Sequence, residues 1–212
     1  QNNGDQKKIL RRLSNFPIKV KIITSMENII AGNINIDHVQ KVDVSDILGR
    51  EPVKPSAKLL SKNIKGKNIL ITGAGGSIGS ELCSQILTLK PKKIVIIDNS
   101  EYALYKINHK LLQFNSDVEV ISVLTSVTEL NRIDHLFKTH QIHTVFHAAA
   151  YKHVPIVEKN PIDGMYNNII GTYNCVQAAL NNKIETFILI STDKAVRPTN
   201  VMGATKRFSE LF

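Results

Sequence analysis

The sequence has no run of about eighteen apolar residues, the length that a membrane-spanning helix requires. Its first residues, QNNGDQKKILRR, lack the basic and then apolar order of a secretory signal peptide. We therefore expect that the chain neither spans a membrane nor is exported, and that it works in the cytoplasm. The two cysteines, Cys83 and Cys175, have no CxxC spacing and lie in segments of helical period, which predicts free core thiols in a reducing compartment.

Signatures of nucleic-acid binding are also missing, although the net charge is +9. Residues 1–67 hold 13 Lys and Arg against 6 Asp and Glu, so most of the surplus lies in the N-terminal segment. That segment has no zinc-finger spacing, no RNP-like aromatic pattern and no helix-turn-helix. We expect no nucleic-acid partner, and a solvated flank or a surface near anionic phospholipid explains the charge.

From Lys67 onward, short apolar runs alternate with longer segments of helical period. Five runs rich in Ile and Val predict strands: NILIT, KIVIID, VEVISV, TVFHAA and TFILIS. This β-α-β alternation predicts an α/β fold, a doubly wound parallel sheet of the Rossmann type with helices on both faces. Before Lys67, IKVKIIT predicts a strand, MENIIAG and VSDILG predict short helices, and REPVKPSAKLL predicts a connector.

These patterns divide the chain into two predicted parts. Residues 1–66 form a small N-terminal α/β segment with its connector, and residues 67–212 form a dinucleotide-binding domain. The final residues, KRFSELF, continue a helical pattern, whereas a dinucleotide domain usually has a sixth strand. We therefore expect a fragment of a longer protein that lacks its C-terminal substrate domain.

A glycine-rich turn follows the first strand of this domain, in ITGAGGSIGSEL. Gly73, Gly76 and Gly79 have the spacing G-x-x-G-x-x-G, which allows a tight turn, close approach to a pyrophosphate and helix-strand packing. Asp98 ends the next strand about twenty residues later, where a carboxylate accepts hydrogen bonds from ribose hydroxyls. No Arg follows it, so we expect NAD rather than NADP, and a purely structural glycine turn is the alternative.

The segment STDKAVRPTNVMGATKR, residues 191–207, follows the fifth strand. Reacting groups gather at the carboxyl edge of an open parallel sheet, so chemistry is expected here. Met202 and Lys206 lie on one helix face, where many nucleotide-cofactor enzymes have Tyr and Lys. Because methionine cannot transfer a proton, another group must do so. Thr199 or Asn200 is predicted to cap this helix.

Two other clusters are better explained as ordinary structure. Tyr102 and Lys106 have the Tyr-x3-Lys spacing, yet they follow the second strand, where the adenosine half of a dinucleotide would lie. Four histidines cross from a predicted helix into a predicted strand and share no face: His135, His140, His143 and His147. We expect a plain helix at the first cluster and no metal site at the second.

Four segments resemble the nucleotide-sugar 4,6-dehydratases of bacterial polysaccharide and glycan biosynthesis, an extended short-chain dehydrogenase/reductase group: TGAGGSIGSELC, HAAAYKHVPIVEKNP, NNIIGTYN and STDKAVRPTNVMGATKR. VDVSDILGREPV resembles the connector of the family's large members, which have membrane-spanning helices and Met in place of the usual Tyr. The resemblance implies NAD-dependent dehydration of UDP-N-acetylglucosamine to the 4-keto-6-deoxy sugar. It also implies a homo-oligomer and a parent protein anchored at the cytoplasmic face of the inner membrane.

The same resemblance implies a role for each residue of the catalytic segment. Lys194 would be the base at carbon 5 and Asp193 the acid for the hydroxyl that leaves carbon 6. Thr192 would hydrogen-bond the hydroxyl on carbon 4, and Lys206 would bind the nicotinamide ribose beside Met202. Because the charge of Lys194 would keep Asp193 ionised, the acid role requires either burial or proton exchange with a neighbour.

The predicted contacts with ligands complete the site. The cofactor-binding candidates are Thr72, Gly73, Gly76, Ser77, Ile78, Gly79, Asp98, Ala148, Ala149, Tyr151 and Lys206. The substrate-binding candidates are Lys152, His153 and Asn200. A nucleotide-sugar epimerase is the alternative enzyme, although it needs no acid and base at carbons 5 and 6, and a non-catalytic NAD-binding or assembly module is the alternative of another class.

Overall fold

The computed structural model describes residues 21–22, 40–41, 56, 61–114 and 116–212. The chain divides into two compact units, Gln1–Pro55 and Ser56–Phe212. In the first unit, β1 (Lys21–Ile22) and β2 (Gln40–Lys41) pair antiparallel, and β1 lies within the predicted strand IKVKIIT. The predicted helices MENIIAG and VSDILG, and all of the connector except Ser56, lie outside the described residues. The boundary at residue 67 stays a prediction.

The second unit is built on a parallel sheet of five strands in the order β5-β4-β3-β6-β7. The strands are β3 (Asn68–Thr72), β4 (Lys93–Asp98), β5 (Glu119–Leu124), β6 (Thr144–His147) and β7 (Thr186–Leu189). Each strand lies on one of the five apolar runs. The first strand of the unit is central, and the chain winds outward to both sides of it, which is the Rossmann order. The predicted fold class is confirmed.

Helices connect the strands of this unit. They are α1 (Ser77–Thr88), α2 (Glu101–Leu112), α3 (Leu130–His140), α4 (Val154–Lys159), α5 (Pro161–Met165), α6 (Gly171–Asn181) and α7 (Val201–Ser209). A π-helix, Tyr166–Ile170, joins α5 to α6, and a 3₁₀ turn, Asp193–Ala195, precedes α7. In the described part of the chain, no helix is both long and apolar enough to cross a membrane.

The sheet has an apolar core on each face because successive side chains of a strand point to opposite sides. Ile69 and Ile71 of β3 face α1 and α2, whereas Leu70 faces α3 and α6. Cys83 lies in the first core and Cys175 in the second, both as free thiols, and burial raises the pKa of each to about 12. The prediction of free core thiols is confirmed.

Candidate active site

The turn between β3 and α1 has a shape that only glycine permits. Gly73 has a φ of +63°, and a Cβ on it would lie 2.7 Å from the backbone of Ala149. A Cβ on Gly79 would lie 2.0 Å from the carbonyl oxygen of Gly73. Contacts this close are never made by real Cβ atoms, so these two glycines allow the helix and the strand end of β6 to approach the turn.

Helix α1 presents its N-terminus at the same turn. Gly76 is the N-cap and has no side chain to cap the helix, and no side chain of the described residues accepts from the N–H groups of the first turn. Those free donors and the positive end of the helix dipole favour an anion. The arrangement therefore fits the pyrophosphate of a dinucleotide.

Gly79→Ala tests this turn directly. We expect the affinity for NAD to fall at least about tenfold, because the added methyl forces the helix away from the turn and moves its N–H groups off the pyrophosphate. Isothermal titration with NAD measures the effect. Gly66→Ala is the control for a methyl group added away from the turn: its positive φ, +69°, makes the change strained, but no atom of the described residues lies within 4 Å of its added Cβ. Equal affinity in both variants would contradict the assignment.

A cavity of about 450 Å³ lies over the turn, at the carboxyl ends of the strands. Most of the predicted ligand-binding residues line it: Gly73, Gly76, Ser77, Ile78, Gly79, Asp98, Ala148, Ala149, Tyr151, Lys152 and His153. Asp98 Oδ2 accepts from the Gly75 N–H at 2.9 Å, and Oδ1 accepts from the Ser100 N–H at 2.9 Å. The carboxylate is thus fixed at the cavity wall. The glycine turn, the helix end and the carboxylate together fit a dinucleotide.

The catalytic candidates form a second group, which does not line this cavity. Thr192 Oγ1 donates to Asp193 Oδ1 at 3.0 Å, and Lys194 Nζ lies 3.5 Å from the same oxygen. The Asp193 side chain is 90% exposed, and the hydrogen bond from Thr192 and the charge of Lys194 lower its pKa. The small effect of burial, which would raise this pKa, is outweighed by these two groups. Of the two routes to an acidic Asp193, proton exchange with a neighbour is the one that the geometry favours.

Lys206 and Met202 both point into the protein from α7. Lys206 is 5% exposed, and burial lowers its pKa while the charge of Glu210 opposes the shift. Among the described residues, no hydrogen bond or ion pair holds its ammonium, because Glu210 bonds to Ser191 and Arg207 instead. The ammonium keeps its donors for a ligand. Met202 is 4% exposed and contributes packing but no proton.

The start of α7 is fixed by two acceptors. Asn200 Oδ1 accepts from the Gly203 N–H at 2.8 Å, so the predicted cap is confirmed for Asn200. Glu158 on α4 accepts from the Val201 N–H at 2.6 Å. The cap commits the oxygen of Asn200, which leaves its amide NH₂ for the predicted substrate contact.

Tyr102 and Lys106 lie on the solvent side of α2, as expected of an ordinary helix. Tyr102 is 68% exposed, and Lys106 Nζ is 5.4 Å from the centre of its ring. Neither residue lines the cavity over the glycine turn.

Asn168 is a residue of the site that the sequence pattern did not single out. Its Oδ1 accepts from the Tyr151 N–H at 2.7 Å, and its Nδ2 donates to the Tyr151 carbonyl and to Thr205 Oγ1, both at 3.0 Å. It therefore joins the cavity wall to α7. The signal that the sequence offered was an Asn directly before Ile169 and Ile170 in NNIIGTYN, since an amide buried with such a segment requires hydrogen-bond partners. The π-helix that carries it is a form often found at functional sites.

Comparison with known proteins agrees with this architecture. Residues 69–212 match a family model described as polysaccharide biosynthesis protein. The capsular polysaccharide biosynthesis protein CapD of Staphylococcus aureus is 41% identical over 188 residues, which cover 88% of this chain and 31% of CapD. A Campylobacter jejuni protein named UDP-N-acetylglucosamine 4,6-dehydratase (inverting) is 37% identical over 146 residues, 68% of this chain and 42% of that protein. Rickettsia proteins named UDP-glucose 4-epimerase match at 34% to 35% identity.

Solved structures show the same fold. The crystal structure of the dTDP-glucose 4,6-dehydratase DesIV from Streptomyces venezuelae, with NAD bound, has a TM-score of 0.61 and 21% identity. The alignment covers 68% of this chain and 49% of the DesIV chain. Structures of UDP-glucose 4-epimerases from Stenotrophomonas maltophila and Bifidobacterium longum, solved with bound NAD or NAD+, have the same fold at TM-scores of 0.60 and 0.59 and 21% and 20% identity. The chain spans about a third of CapD and less than half of the dehydratase.

Proposed function

The chain belongs to the polysaccharide biosynthesis protein family, and proteins named as nucleotide-sugar dehydratases and epimerases are similar to it. From this premise we propose that it is part of a UDP-N-acetylglucosamine 4,6-dehydratase. One observation carries the choice of reaction. Thr192, Asp193 and Lys194 form a hydrogen-bonded and ion-paired run after β7. Oxidation at carbon 4 alone needs no such pair of acid and base, whereas elimination across carbons 5 and 6 needs both.

When bound, NAD would accept a hydride from carbon 4 of the sugar and return it to carbon 6. The ketone at carbon 4 acidifies the proton on carbon 5, and Lys194 takes that proton after its ammonium has given one to solvent, which solvent returns at the end of the cycle. Asp193 donates a proton to the hydroxyl that leaves carbon 6 as water. Lys194 returns its proton to carbon 5 when carbon 6 is reduced. Lys206 would hold the nicotinamide ribose and would add positive charge near the reacting oxygen.

The pair of Thr192 and Asp193 supplies the proton acceptor that Met202 cannot be. Thr192 accepts the proton of the carbon 4 hydroxyl and passes its own to Asp193 along their 3.0 Å hydrogen bond. The lowered pKa of Asp193 makes it ionised at the start, as this transfer requires. The neutral acid so formed then protonates the leaving hydroxyl. Each catalytic group thus ends the cycle in its starting form.

The product distinguishes this reaction from its alternatives. Incubation of the whole protein with UDP-N-acetylglucosamine and NAD, followed by mass spectrometry and proton spectra, should give a sugar lighter by one water with a methyl group at carbon 6. An isomer of unchanged mass would establish the epimerase. Bound NAD with unchanged sugar would favour a cofactor-binding or assembly module.

The proposal extends to the cofactor and the setting. We propose that the cofactor is NAD rather than NADP and that the substrate is a UDP-sugar. We also propose that the protein is a homo-oligomer and that the parent protein is anchored at the cytoplasmic face of the inner membrane. Asp98 supports the choice of NAD, because its fixed carboxylate would repel a 2′-phosphate.

Asp98→Asn measures that choice. We expect the ratio of NAD affinity to NADP affinity to fall about tenfold, because the amide keeps an acceptor for the Gly75 N–H but loses the negative charge. Titration of the variant with each cofactor gives the ratio. Asn99→Ala is the control at the neighbouring position of the cavity wall. An unchanged ratio in the Asp98 variant would show that another residue sets the preference.

A further inference from the structure

His147 is a buried titratable group that the proposed reaction does not use. It ends β6, is fully buried and does not line the cavity. Its Nδ1 lies 2.7 Å from Thr72 Oγ1, and its Nε2 lies 3.0 Å from Thr172 Oγ1. Both ring nitrogens of this buried imidazole thus have a partner, and the two partners belong to different elements, β3 and α6.

One neighbouring hydrogen bond and the neutral state of the ring fix the direction of both contacts. Thr172 Oγ1 donates its single hydrogen to the Asn168 carbonyl at 2.6 Å, so it must accept from the Nε2–H of His147. Because burial lowers the pKa of His147, the imidazole is neutral and is protonated on Nε2 only. Nδ1 therefore accepts from Thr72 Oγ1, which in turn accepts from the Ala149 N–H at 3.2 Å. We call this series of five residues the histidine chain.

The surroundings of His147 keep it neutral. Burial and, to a smaller degree, the positive charge of Lys206 lower the pKa of His147 to about 3. The histidine chain therefore keeps one direction at every pH at which the protein is ordinarily handled. The hydrogen bonds of the histidine chain can therefore be reversed only by substituting one of its residues.

Each end of the histidine chain holds one half of the site. At one end, Ala149 lines the cofactor cavity and lies against Gly73 so closely that no Cβ fits between them. At the other end, the Asn168 carbonyl also accepts a hydrogen bond from Ser209 Oγ of α7. The side chain of Asn168 makes two hydrogen bonds to the backbone of Tyr151. The histidine chain thus runs from the cavity wall to α7, the helix that carries Met202 and Lys206.

We propose that His147 is a positioning residue that fixes the distance between the cofactor cavity and α7 through the directed histidine chain. It acts through Thr72 and Thr172 and touches neither cofactor nor substrate. The inference rests on the proposed function only in that Lys206 of α7 serves a cofactor bound in the cavity.

The test compares Thr172→Val with Thr172→Ser in the whole protein. Serine keeps the hydroxyl that bridges His147 and Asn168, whereas valine has the same shape as threonine without it. We expect the valine variant to bind NAD about tenfold more weakly and the serine variant to bind as the wild type does. Thr88→Val, on the exposed face of α1, controls for the same change of side chain and should have no effect.

Spectroscopy of histidine labelled with ¹⁵N gives a second readout that simple packing would not move. The resonances lost in His147→Asn identify the imidazole. We expect protonation on Nε2 in the wild type and in Thr172→Ser. In Thr172→Val the Nε2–H has no acceptor, so the proton should move to Nδ1 and donate to Thr72.

The outcomes separate this inference from the proposed function. Equal NAD affinity in the valine and serine variants, or protonation on Nδ1 in the wild type, would overturn the role of His147. Neither readout requires turnover, so a protein that binds NAD and leaves UDP-N-acetylglucosamine unchanged would count against the dehydratase alone.

Discussion

Lys194→Met should lower kcat about a thousandfold while the affinity for NAD stays unchanged, because the variant loses the base at carbon 5 but no residue of the cofactor cavity. Carbon 4 can still be oxidised, so the variant should stop after the first step. Reduced cofactor should then accumulate on mixing with UDP-N-acetylglucosamine. Stopped-flow absorbance of the nicotinamide and the steady-state rate measure the two effects.

Lys138→Met is the matched control, since Lys138 is an exposed lysine on α3, away from the carboxyl edge of the sheet. It should turn over as the wild type does. A Lys194→Met variant that retains kcat within tenfold of the wild type would show that another group removes the carbon 5 proton.

Lys206→Ala is expected to lower kcat about a hundredfold or more and to weaken NAD binding, because it removes a buried ammonium whose donors no described residue uses. Kinetics with saturating NAD, together with a NAD titration, separate the two losses. Burial lowers the pKa of Lys206, so activity that depends on its charge should disappear as the pH rises through a value below that of an exposed lysine.

Met202 provides the comparison on the same helix face. Met202→Leu should keep kcat within about twofold, because it conserves the packed volume and Met202 moves no proton. Met202→Tyr should not raise kcat, since Thr192 and Asp193 already take the carbon 4 proton. If Lys206→Ala left turnover unchanged, the role proposed for Lys206 would be wrong.

Features with a strong local signal could be predicted from the sequence. The five apolar runs specify the strands because a buried parallel strand needs Ile and Val on both faces. The glycine spacing predicts the turn, and Gly73 has the positive φ that the turn requires. Asn200 caps α7 because its side chain bonds only three residues ahead, at Gly203. Each of these features depends on neighbours in sequence.

Features set by distant partners could not be predicted. The direction of His147 depends on Thr72 and Thr172, which lie 75 and 25 residues away. The hydrogen bond from Asn168 to Thr205 joins residues that are 37 positions apart in the sequence. The 90% exposure of the Asp193 side chain, at the start of a 3₁₀ turn, depends on which parts of the chain pack against that turn. No periodicity or spacing encodes such contacts, although the residue types signal that some partner must exist.

The most direct test of the account is a single incubation of the whole protein with UDP-N-acetylglucosamine and NAD in deuterated water, followed by mass and proton spectra of the sugar. The account predicts that the sugar loses one water and gains one deuterium at carbon 5. The deuterium enters because the ammonium of Lys194 exchanges its proton with solvent before returning it. A sugar of unchanged composition, recovered from a protein with NAD bound, would contradict it.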